Sequence, residues 1–373
     1  MEDASARHTT GAPGEPAPDV RLGRYRGCLL GGAVGDALGA AVEFSTLDEI
    51  RRAFGPRGIR EPAPAHGRTG AITDDTQMLL FTAEALIRAR HRQAGQGVAS
   101  LEHVCLQAYW RWLRTQGERP ATRIGGAGEE GWLFGLRSLH ARRAPGNTCL
   151  AALRSGLLGS PREPLNDSKG CGGVMRIAPV GLAADDPFET GQRLAALTHG
   201  HPTGYLAAGF FAEVIAVLAR GQGLGPAIEQ ALELARRTPG AAEVVAAVER
   251  AVRLARCSDG TFQDVESLGA GWVAEEALAI ALYSALQARD FAHGVRMAVN
   301  HSGDSDSTGS MAGNLLGLLH GEEGIPAGWL ACLELRAEIA EVAHDLWWHF
   351  AAEPPAPCAE RPGCGQWEKY PGL

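Results

Sequence analysis

Two glycine-rich segments, far apart in the chain, constrain the fold most strongly. Glycine recurs every fourth residue at positions 27, 31, 35 and 39, and again at positions 309, 313 and 317. Residues four apart share one face of an α-helix, so each segment would present a ridge without side chains. Each glycine costs about 0.5–1 kcal/mol relative to alanine inside a helix, and close approach to another backbone would compensate. The spacing predicts two such helices, serving either tight packing alone or the convergence of acidic side chains.

The other apolar residues also follow helical spacing. Valines recur four apart within residues 241–257 and leucines within residues 275–288, and both stretches are rich in alanine, a strong helix former. No Asn-Gly pair flanked by alternating apolar residues indicates a β-hairpin. Apolar residues make up 45% of the chain, enough for a sizeable core. We therefore expect an all-α fold.

Both ends of the chain differ in composition from its centre. Residues 1–20 and 353–373 are rich in proline, glycine and polar residues, which predicts a flexible N-terminal tail and a C-terminal extension. Cys358 and Cys364 lie in the second of these without further ligands at metal-binding spacing, so we expect them to be structurally incidental. No break in composition divides the centre, and residues 21–352 are expected to form one domain.

Charge and cysteine content limit the kind of protein. A formal charge of -8 argues against a broad nucleic-acid surface but allows an anionic ligand in one pocket. No membrane contact is expected, because the longest apolar candidate, residues 27–42, is interrupted by Asp36 and the N-terminus lacks a signal peptide. The eight cysteines form no CxxC pair, which favours reduced thiols in a cytoplasm. No exposed apolar stripe demands a partner, so a monomer is expected.

Two acidic clusters each open an apolar run typical of a buried helix. Their oxygen-bearing side chains are Thr73, Asp74, Asp75, Asp304, Asp306 and Ser307. Helix capping accounts for one acid in a cluster but not for two. Converging carboxylates would repel one another, and a divalent cation would remove the conflict. Since neither cluster contains Cys or His, the set suits Mg²⁺, or Mn²⁺ in its place; elaborate helix capping is the alternative.

A third acidic feature accompanies the first glycine ridge. Asp36 and Glu43 lie seven residues apart, so they can share one helix face with the glycines. The alternative for these acids is an ordinary solvated helix face.

These three acidic stretches, in this order, resemble the ADP-ribosylglycohydrolase family. The family carries Gly-Asp-x-x-Gly-x-x-x-Glu, Thr/Ser-Asp-Asp-Thr and Gly-Asp-x-Asp-Ser/Thr motifs, which correspond here to residues 35–43, 73–76 and 303–307. Residues 166–176 and 198–205 extend the resemblance, the latter toward ADP-ribosylarginine hydrolases. Residues 146–148 are similar to dinitrogenase-reductase-activating glycohydrolases. The resemblance covers residues 21–330 and implies a compact orthogonal multi-helix bundle with a dinuclear metal site.

The resemblance also implies roles for individual residues. Two Mg²⁺ or Mn²⁺ ions would be ligated by the six oxygen-bearing side chains of the two clusters. A diphosphate would be held through the backbone N–H groups of a glycine-containing loop, with Asn147 among the other substrate contacts. The residues of that loop are Ser168, Lys169, Gly170, Cys171 and Gly172. Lys169 is larger than expected there and would add charge complementarity to the diphosphate.

Further substrate contacts are expected from histidine and tryptophan. His199 and His201 have a spacing that suits metal ligands, but hard-oxygen sites seldom recruit histidine, which leaves a ribose contact or helix capping. Trp272 is expected to pack in the core; the alternatives are stacking on adenine or over an arginine leaving group.

The sequence departs from the dinitrogenase-reductase branch at one position. Ala144 stands where that branch has an acid three residues before Asn147, so that acid cannot carry catalysis here. The resemblance therefore does not imply that this protein shares the physiological target of that branch.

The resemblance implies a hydrolase of the N-glycosidic bond between ADP-ribose and arginine side chains. An ADP-ribosylated protein is the expected substrate and ADP-ribose the product. Asp75 is expected to be the general base, with Glu43 as the alternative. Hydrolysis of serine-linked or O-acetyl ADP-ribose, and non-catalytic ADP-ribose binding, are the rival functions.

Overall fold

The computed structural model describes residues 18–97, 99–121, 130–352 and 365–372. Within these ranges the chain forms eighteen α-helices and almost no sheet, which confirms the all-α prediction. The expected helices at residues 241–257 and 275–288 are observed at Ala242–Cys257 and Ala274–Gln287.

The helices and strands of the described ranges have the following bounds. The first nine helices are α1 Pro18–Gly39, α2 Leu47–Phe54, α3 Asp74–Gln96, α4 Leu101–Thr115, α5 Trp132–Gly135, α6 Asn147–Ser155, α7 Ala178–Ala183, α8 Pro187–Ala195 and α9 Pro202–Ala219. The others are α10 Leu224–Arg236, α11 Ala242–Cys257, α12 Phe262–Ser267, α13 Ala274–Gln287, α14 Phe291–Val299, α15 Ser305–His320, α16 Ala327–Cys332, α17 Arg336–Phe350 and α18 Gly365–Lys369. Short 3₁₀ helices lie at Arg137–Leu139, Cys171–Gly173 and Glu322–Gly324, and strand β1 (Pro64–Ala65) pairs antiparallel with β2 (Arg68–Thr69).

The two glycine ridges face each other, as their spacing predicted. A Cβ atom on Gly35 would overlap the carbonyl oxygen of Gly309, and one on Gly313 would overlap that of Gly31. Residues late in α1 thus meet residues early in α15, so the two helices run antiparallel. Because no side chain separates the backbones, the end of α1 and the start of α15 come together with their acidic residues.

Helix α9 forms the apolar centre of the bundle. It contacts α7, α8, α10 and α13, and 89% of its residues are buried. Among the described helices, α9 alone is long and apolar enough to meet the length and composition of a membrane span. From the sequence, residues 27–42 were interpreted as the longest apolar candidate for a membrane span, and α9 was not recognised. Its burial by neighbouring helices on all sides is what a core helix requires.

The described part of the C-terminal extension, residues 365–372, docks onto the bundle. The Trp367 ring stacks on His91 with ring centroids 5.3 Å apart, and the buried Tyr370 hydroxyl donates to Asp345 at 2.8 Å. Residues 1–17 and the two cysteines at 358 and 364 lie outside the described residues. The extension therefore contributes buried side chains to the folded structure.

Substitution within the glycine ridge is expected to destabilise the protein. Gly313→Ala should lower the free energy of unfolding by about 1–3 kcal/mol or more, because the added methyl group meets the backbone of α1 rather than a movable side chain. Chemical denaturation measures the difference. In the matched control, Gly225→Ala in α10, the new Cβ meets nothing within 4 Å, so stability should be unchanged or slightly higher. Equal effects of the two substitutions would contradict the close backbone contact.

Candidate active site

A cleft of about 590 Å³ lies where α1 ends and where α3 and α15 begin. Five acids from three distant parts of the sequence line it: Glu43, Asp74, Asp75, Asp304 and Asp306. The structure therefore brings the two predicted acidic clusters and the acid beyond the first glycine ridge to one place. Ser307, at the start of α15, lines the same cleft.

Asp36 anchors the start of α3 to α1 beneath this cleft. Its fully buried carboxylate accepts hydrogen bonds from the backbone N–H groups of Thr73 and Thr76, at 3.0 and 3.2 Å. It also accepts from both threonine hydroxyls, that of Thr73 at 2.9 Å. Burial and the nearby Asp306 raise the pKa of Asp36 to about 7, while the hydrogen bonds oppose this rise. Asp36 thus fixes α3 against α1, and the alternative of a solvated face is wrong for it.

Thr73 faces Asp36 and is not among the described residues that line the cleft. Its hydroxyl donates to Asp36 and accepts from the backbone N–H of Asp75 at 3.3 Å, so it caps α3. The expected metal ligand Thr73 is therefore engaged in structural hydrogen bonds, whereas the other five expected ligands line the cleft.

The carboxylates of the cleft are buried, and the one arginine among the described lining residues, Arg142, is paired with Glu118 at 2.7 Å. Asp74 and Asp75 are only 4% and 2% exposed. Burial, followed by the charge of Asp306, raises the pKa of both well above the usual range, and Asp304 is affected in the same way. Burial and the neighbouring acids raise the pKa of Glu43 to about 11. The cluster therefore favours any ligand that supplies positive charge.

Donor chemistry in the cleft suits a hard cation, although the side chains do not form a ready-made site. Within the described ranges, no group of three or more His, Cys, Asp or Glu side chains is arranged to hold a metal ion. The Asp75 Oδ1 atom is nevertheless buried without a hydrogen-bond partner, and the donors around it are mostly oxygens. Oxygen donors are those that Mg²⁺ and Mn²⁺ prefer. The Cys171 thiol also reaches the acids and donates to Asp304 at 2.7 Å.

Glu43 lies beyond the helix that was expected to carry it. Helix α1 ends at Gly39, and a turn follows in which the Glu43 N–H donates to the Gly39 carbonyl at 2.9 Å. The helix therefore does not continue as far as Glu43, and Glu43 does not share a helix face with Asp36 as predicted. Its side chain is half-buried and lines the cleft.

Phe44 and Trp272 form an exposed aromatic pair in the cleft. Their rings stack with centroids 5.4 Å apart and an angle of 21° between the planes. Phe44 is 70% exposed and has a left-handed backbone with φ of 66°, an unusual conformation for a bulky residue, and Trp272 is 42% exposed. The expected core packing of Trp272 is therefore wrong: its ring is available to a ligand.

The predicted diphosphate loop has fewer free N–H groups than its glycine content suggested. The Ser168 N–H donates to the Asn166 side chain at 3.0 Å, and the Gly170 N–H donates to the Ser168 hydroxyl at 3.3 Å. The Cys171 N–H donates to the Trp272 carbonyl at 3.1 Å. Of the five predicted loop residues, Gly170, Cys171 and Gly172 line the cleft.

Two other predicted substrate contacts are engaged elsewhere. Lys169 forms ion pairs with Glu243, at 2.8 Å, and Glu275. The His201 side chain accepts from the Thr203 N–H at 3.1 Å and caps α9, which is the capping role that the sequence left open. Neither Lys169 nor His201 is among the described residues that line the cleft.

His199 and the start of α6 line the cleft beside the acids, since the N–H of Gly146, the N-cap residue of α6, donates to the Asp74 carboxylate at 3.2 Å. His199 is buried, and burial together with the charge of Arg176 lowers its pKa to about 3, so its imidazole is neutral. Asn147 opens α6, whose first turn has no side-chain cap and faces the cleft. Unsatisfied N–H groups and the helix dipole make such a helix end favourable for anions.

Several residues of the cleft were not assigned from the sequence. They are Phe44, Arg142, Pro145, Thr148, Cys149 and Met175. Most flank a recognised motif, and that proximity was the only signal available. Ala144 also lines the cleft, with φ of 49°, and places a methyl group where a related branch carries an acid.

The structure thus defines a class of all-α proteins with an acidic cleft at the meeting point of helix ends. The sequence matches the ADP-ribosylglycohydrolase family over residues 17–355, and the chain belongs to that family. It is therefore a glycohydrolase that acts on ADP-ribose linkages, in a family that depends on divalent metal ions.

The relatives include proteins with different names within this family. An ADP-ribosyl-[dinitrogen reductase] glycohydrolase of Rhodospirillum rubrum is 28% identical over 327 residues, covering 84% of this chain and 92% of the relative. The ADP-ribosylhydrolase ARH3 of Bos taurus is 25% identical and covers 92% and 97%. The ADP-ribosylarginine hydrolase Tri1 of Pseudomonas putida is 24% identical and covers 90% and 84%.

A solved structure shows the same architecture. It is described as an ADP-ribosylglycohydrolase-related protein complex, has a TM-score of 0.65 and 28% sequence identity, and covers 88% of this chain and 98% of its own. Since relatives with different names match at similar identity, the preferred linkage has to be argued from the cleft.

The anchoring role of Asp36 can be tested through Thr76. Thr76→Val should lower the free energy of unfolding by about 1–3 kcal/mol, because it removes a hydroxyl that donates to a buried carboxylate. Thr76→Ser keeps the hydroxyl and should lose much less. Urea denaturation of both variants gives the comparison. If the valine variant is as stable as the serine variant, Asp36 does not hold the start of α3.

Proposed function

We propose that this protein hydrolyses the N-glycosidic bond between ADP-ribose and an arginine side chain of a modified protein. The observation that carries this proposal is the exposed stack of Phe44 on Trp272 beside an uncompensated acidic wall. A guanidinium group is flat and cationic, so it can stack on an aromatic ring while nearby carboxylates attract its charge. A serine or acetyl leaving group is neutral and gains little from either feature.

Two Mg²⁺ or Mn²⁺ ions fit the acidic side of the cleft by their chemistry. Asp74, Asp75, Asp304, Asp306 and Ser307 would hold them, and the orphaned Oδ1 of Asp75 provides an unused oxygen donor. Such ions, when bound, polarise ribose hydroxyls and lower the pKa of a water molecule. The raised pKa values of Asp74 and Asp304, caused by burial and the charge of Asp306, support this assignment.

Asp75 would accept the proton of the attacking water. Its carboxylate lines the cleft, and its position at the start of α3 is fixed through Thr73 and Asp36. Water attacks the anomeric carbon, the bond from that carbon to the arginine nitrogen breaks, and the nitrogen is protonated as it leaves. The other carboxylates stabilise the positive charge that develops on the sugar. Glu43, which faces the same cleft, is the alternative base.

The remainder of ADP-ribose would lie beside the start of α6 and the glycines at 170 and 172. The open start of α6, with Asn147 and Thr148, offers N–H groups to the diphosphate, and Gly170 and Gly172 leave room beside it. The neutral imidazole of His199 would contact the ribose or the diphosphate without adding charge.

A substrate panel tests the proposed reaction. With Mg²⁺ or Mn²⁺, the purified protein should release ADP-ribose faster from ADP-ribosylated arginine than from ADP-ribosylated serine or O-acetyl-ADP-ribose. Asp304→Asn should abolish release while the circular dichroism spectrum is retained, because it removes a charge that the cations require.

Three results would contradict the proposal in different ways. Undiminished activity in excess EDTA would reject the role of metal ions. A preference for serine or acetyl linkages would reject the arginine assignment. Tight ADP-ribose binding with no product from any substrate would identify a binding protein.

The aromatic pair gives a separate prediction. Trp272→Ala should raise the KM for ADP-ribosylated arginine about fivefold to tenfold, because it removes the platform for the guanidinium group. Trp272→Phe keeps an aromatic face and should stay near the wild type. ADP-ribose itself should bind all three proteins with similar affinity in calorimetry. If its affinity falls in the alanine variant, Trp272 contacts adenine instead of arginine.

A further inference from the structure

A short loop, residues 269–273, brings Trp272 to the cleft and is called the platform loop below. It joins α12 to α13, and Trp272 is the residue of this loop whose ring stacks on Phe44. Gly269 and Gly271 have φ angles of 130° and 80°, which favour glycine. Because glycine adopts many backbone conformations, contacts from outside the loop have to fix its shape.

The first half of the platform loop is held by Glu276, in the first turn of α13. The half-buried Glu276 carboxylate accepts hydrogen bonds from the N–H groups of Ala270 and Gly271, at 3.0 and 3.2 Å. One oxygen atom accepts both, and its negative charge strengthens such bonds. The backbone immediately before Trp272 is therefore oriented by a single side chain.

The peptide group between Ala270 and Gly271 connects Glu276 to the acids of the cleft. Its N–H donates to Glu276, and its carbonyl oxygen accepts from the Asp304 N–H at 2.8 Å. A Cβ atom on Gly303 would overlap the same carbonyl oxygen, so the loop and the residues before α15 are in direct contact. A peptide group is planar, and its N–H and carbonyl therefore change direction together. Rotation of this group would break both hydrogen bonds.

The second half of the platform loop is held by main-chain atoms. The Cys171 N–H donates to the Trp272 carbonyl at 3.1 Å, and the Ala274 N–H donates to the Lys169 carbonyl at 2.8 Å. These bonds do not depend on the identity of a side chain. A substitution at Glu276 thus releases one side of Trp272 and leaves the other side attached.

We infer that Glu276 is a positioning residue, which holds the peptide group between Ala270 and Gly271 so that the Trp272 ring stays stacked on Phe44. The inference rests on the proposed function, in which Trp272 is the platform for the arginine guanidinium group. Glu276 is not among the described residues that line the cleft, so it acts on the substrate through Trp272. Without its carboxylate the peptide group is free to rotate, and the ring loses its fixed orientation.

A double-mutant cycle tests this role. Glu276→Ala should raise the KM for ADP-ribosylated arginine about fivefold, because the guanidinium group loses a correctly oriented ring. Glu276→Gln keeps an oxygen that accepts both hydrogen bonds, so its KM should stay near that of the wild type. In the Trp272→Ala background, Glu276→Ala should cause no further increase, since both residues act through one ring. Additive increases in KM would overturn the inference.

The orientation of Trp272 is also measurable without activity. The chain contains eight tryptophans, and subtracting the fluorescence of Trp272→Phe from that of the wild type isolates the emission of Trp272. The same subtraction in the Glu276→Ala background should give emission at longer wavelength, because a ring that leaves its stack on Phe44 becomes more exposed to water. Unchanged emission would overturn the inference, whatever the KM.

Asp186→Ala is the matched control. It removes a carboxylate that accepts from the Glu189 N–H at 3.0 Å at the start of α8, outside the described lining of the cleft. It should change neither the KM nor the emission of Trp272, and a change equal to that of Glu276→Ala would overturn the inference.

Should Glu276→Ala fail to fold, Glu276→Asp takes its place. The shorter side chain keeps the charge but draws the carboxylate away from the two N–H groups. The KM and the emission wavelength should then rise by smaller amounts, and wild-type values in the folded aspartate variant would overturn the inference.

Failure of this inference is distinguishable from failure of the proposed function. If the wild type prefers ADP-ribosylated arginine and Trp272→Ala raises its KM, but Glu276→Ala changes neither the KM nor the emission, only the role of Glu276 is wrong. If the wild type releases ADP-ribose from no substrate, the proposed function is wrong, and the emission still shows whether Glu276 orients the ring.

Discussion

Contact between the glycine faces of α1 and α15 determines where the acids of the cleft lie. Because neither helix presents side chains at this contact, Gly35 meets Gly309 backbone to backbone, and the end of α1 reaches the start of α15. Asp36 then joins α3 to the same point through hydrogen bonds from Thr73 and Thr76. Three sequence segments that are far apart in the chain are thereby held with their acids in one cleft. A larger residue in the ridge would separate the helices and move the acids apart.

The cleft is strongly acidic. Five carboxylates line it, and burial together with repulsion from neighbouring acids disfavours the ionised forms of Glu43, Asp74, Asp75 and Asp304 unless cations are supplied. The start of α6 and a neutral His199 line the same cleft, and the Gly146 N–H at that helix start donates to Asp74 at 3.2 Å. Such a cleft favours a cationic leaving group, and the arginine of the proposed substrate has this property. The family to which the chain belongs supports the coarser statement that ADP-ribose linkages are hydrolysed.

The sequence predicted the helices, the glycine contact and the meeting of the acidic clusters, because these follow from periodicity and from residue chemistry. It did not predict the environment of single side chains. Trp272 was expected inside the core but stacks on Phe44 at the surface of the cleft, and Lys169 is held by two glutamates that follow it by many residues. From the sequence, Asp36 was interpreted only as an acid that can share a helix face with Glu43. Its hydrogen-bond partners on α3 are distant in the sequence and are brought to it by the tertiary structure. For His201, by contrast, helix capping was one of the predicted alternatives, because capping depends on residues that are close in the sequence.

The antiparallel glycine contact also has a consequence for how the chain folds. The two segments that form this contact, around Gly27 and Gly317, are separated by most of residues 17–355, the region that matches the family. During synthesis α1 emerges long before its partner exists, so its bare backbone ridge stays uncovered while the intervening helices form. Contacts between such distant segments slow folding, and uncovered apolar helices promote association with other chains. Assembly of the catalytic end of the molecule is therefore expected to be a late event, in which α15 locks onto a nearly complete bundle.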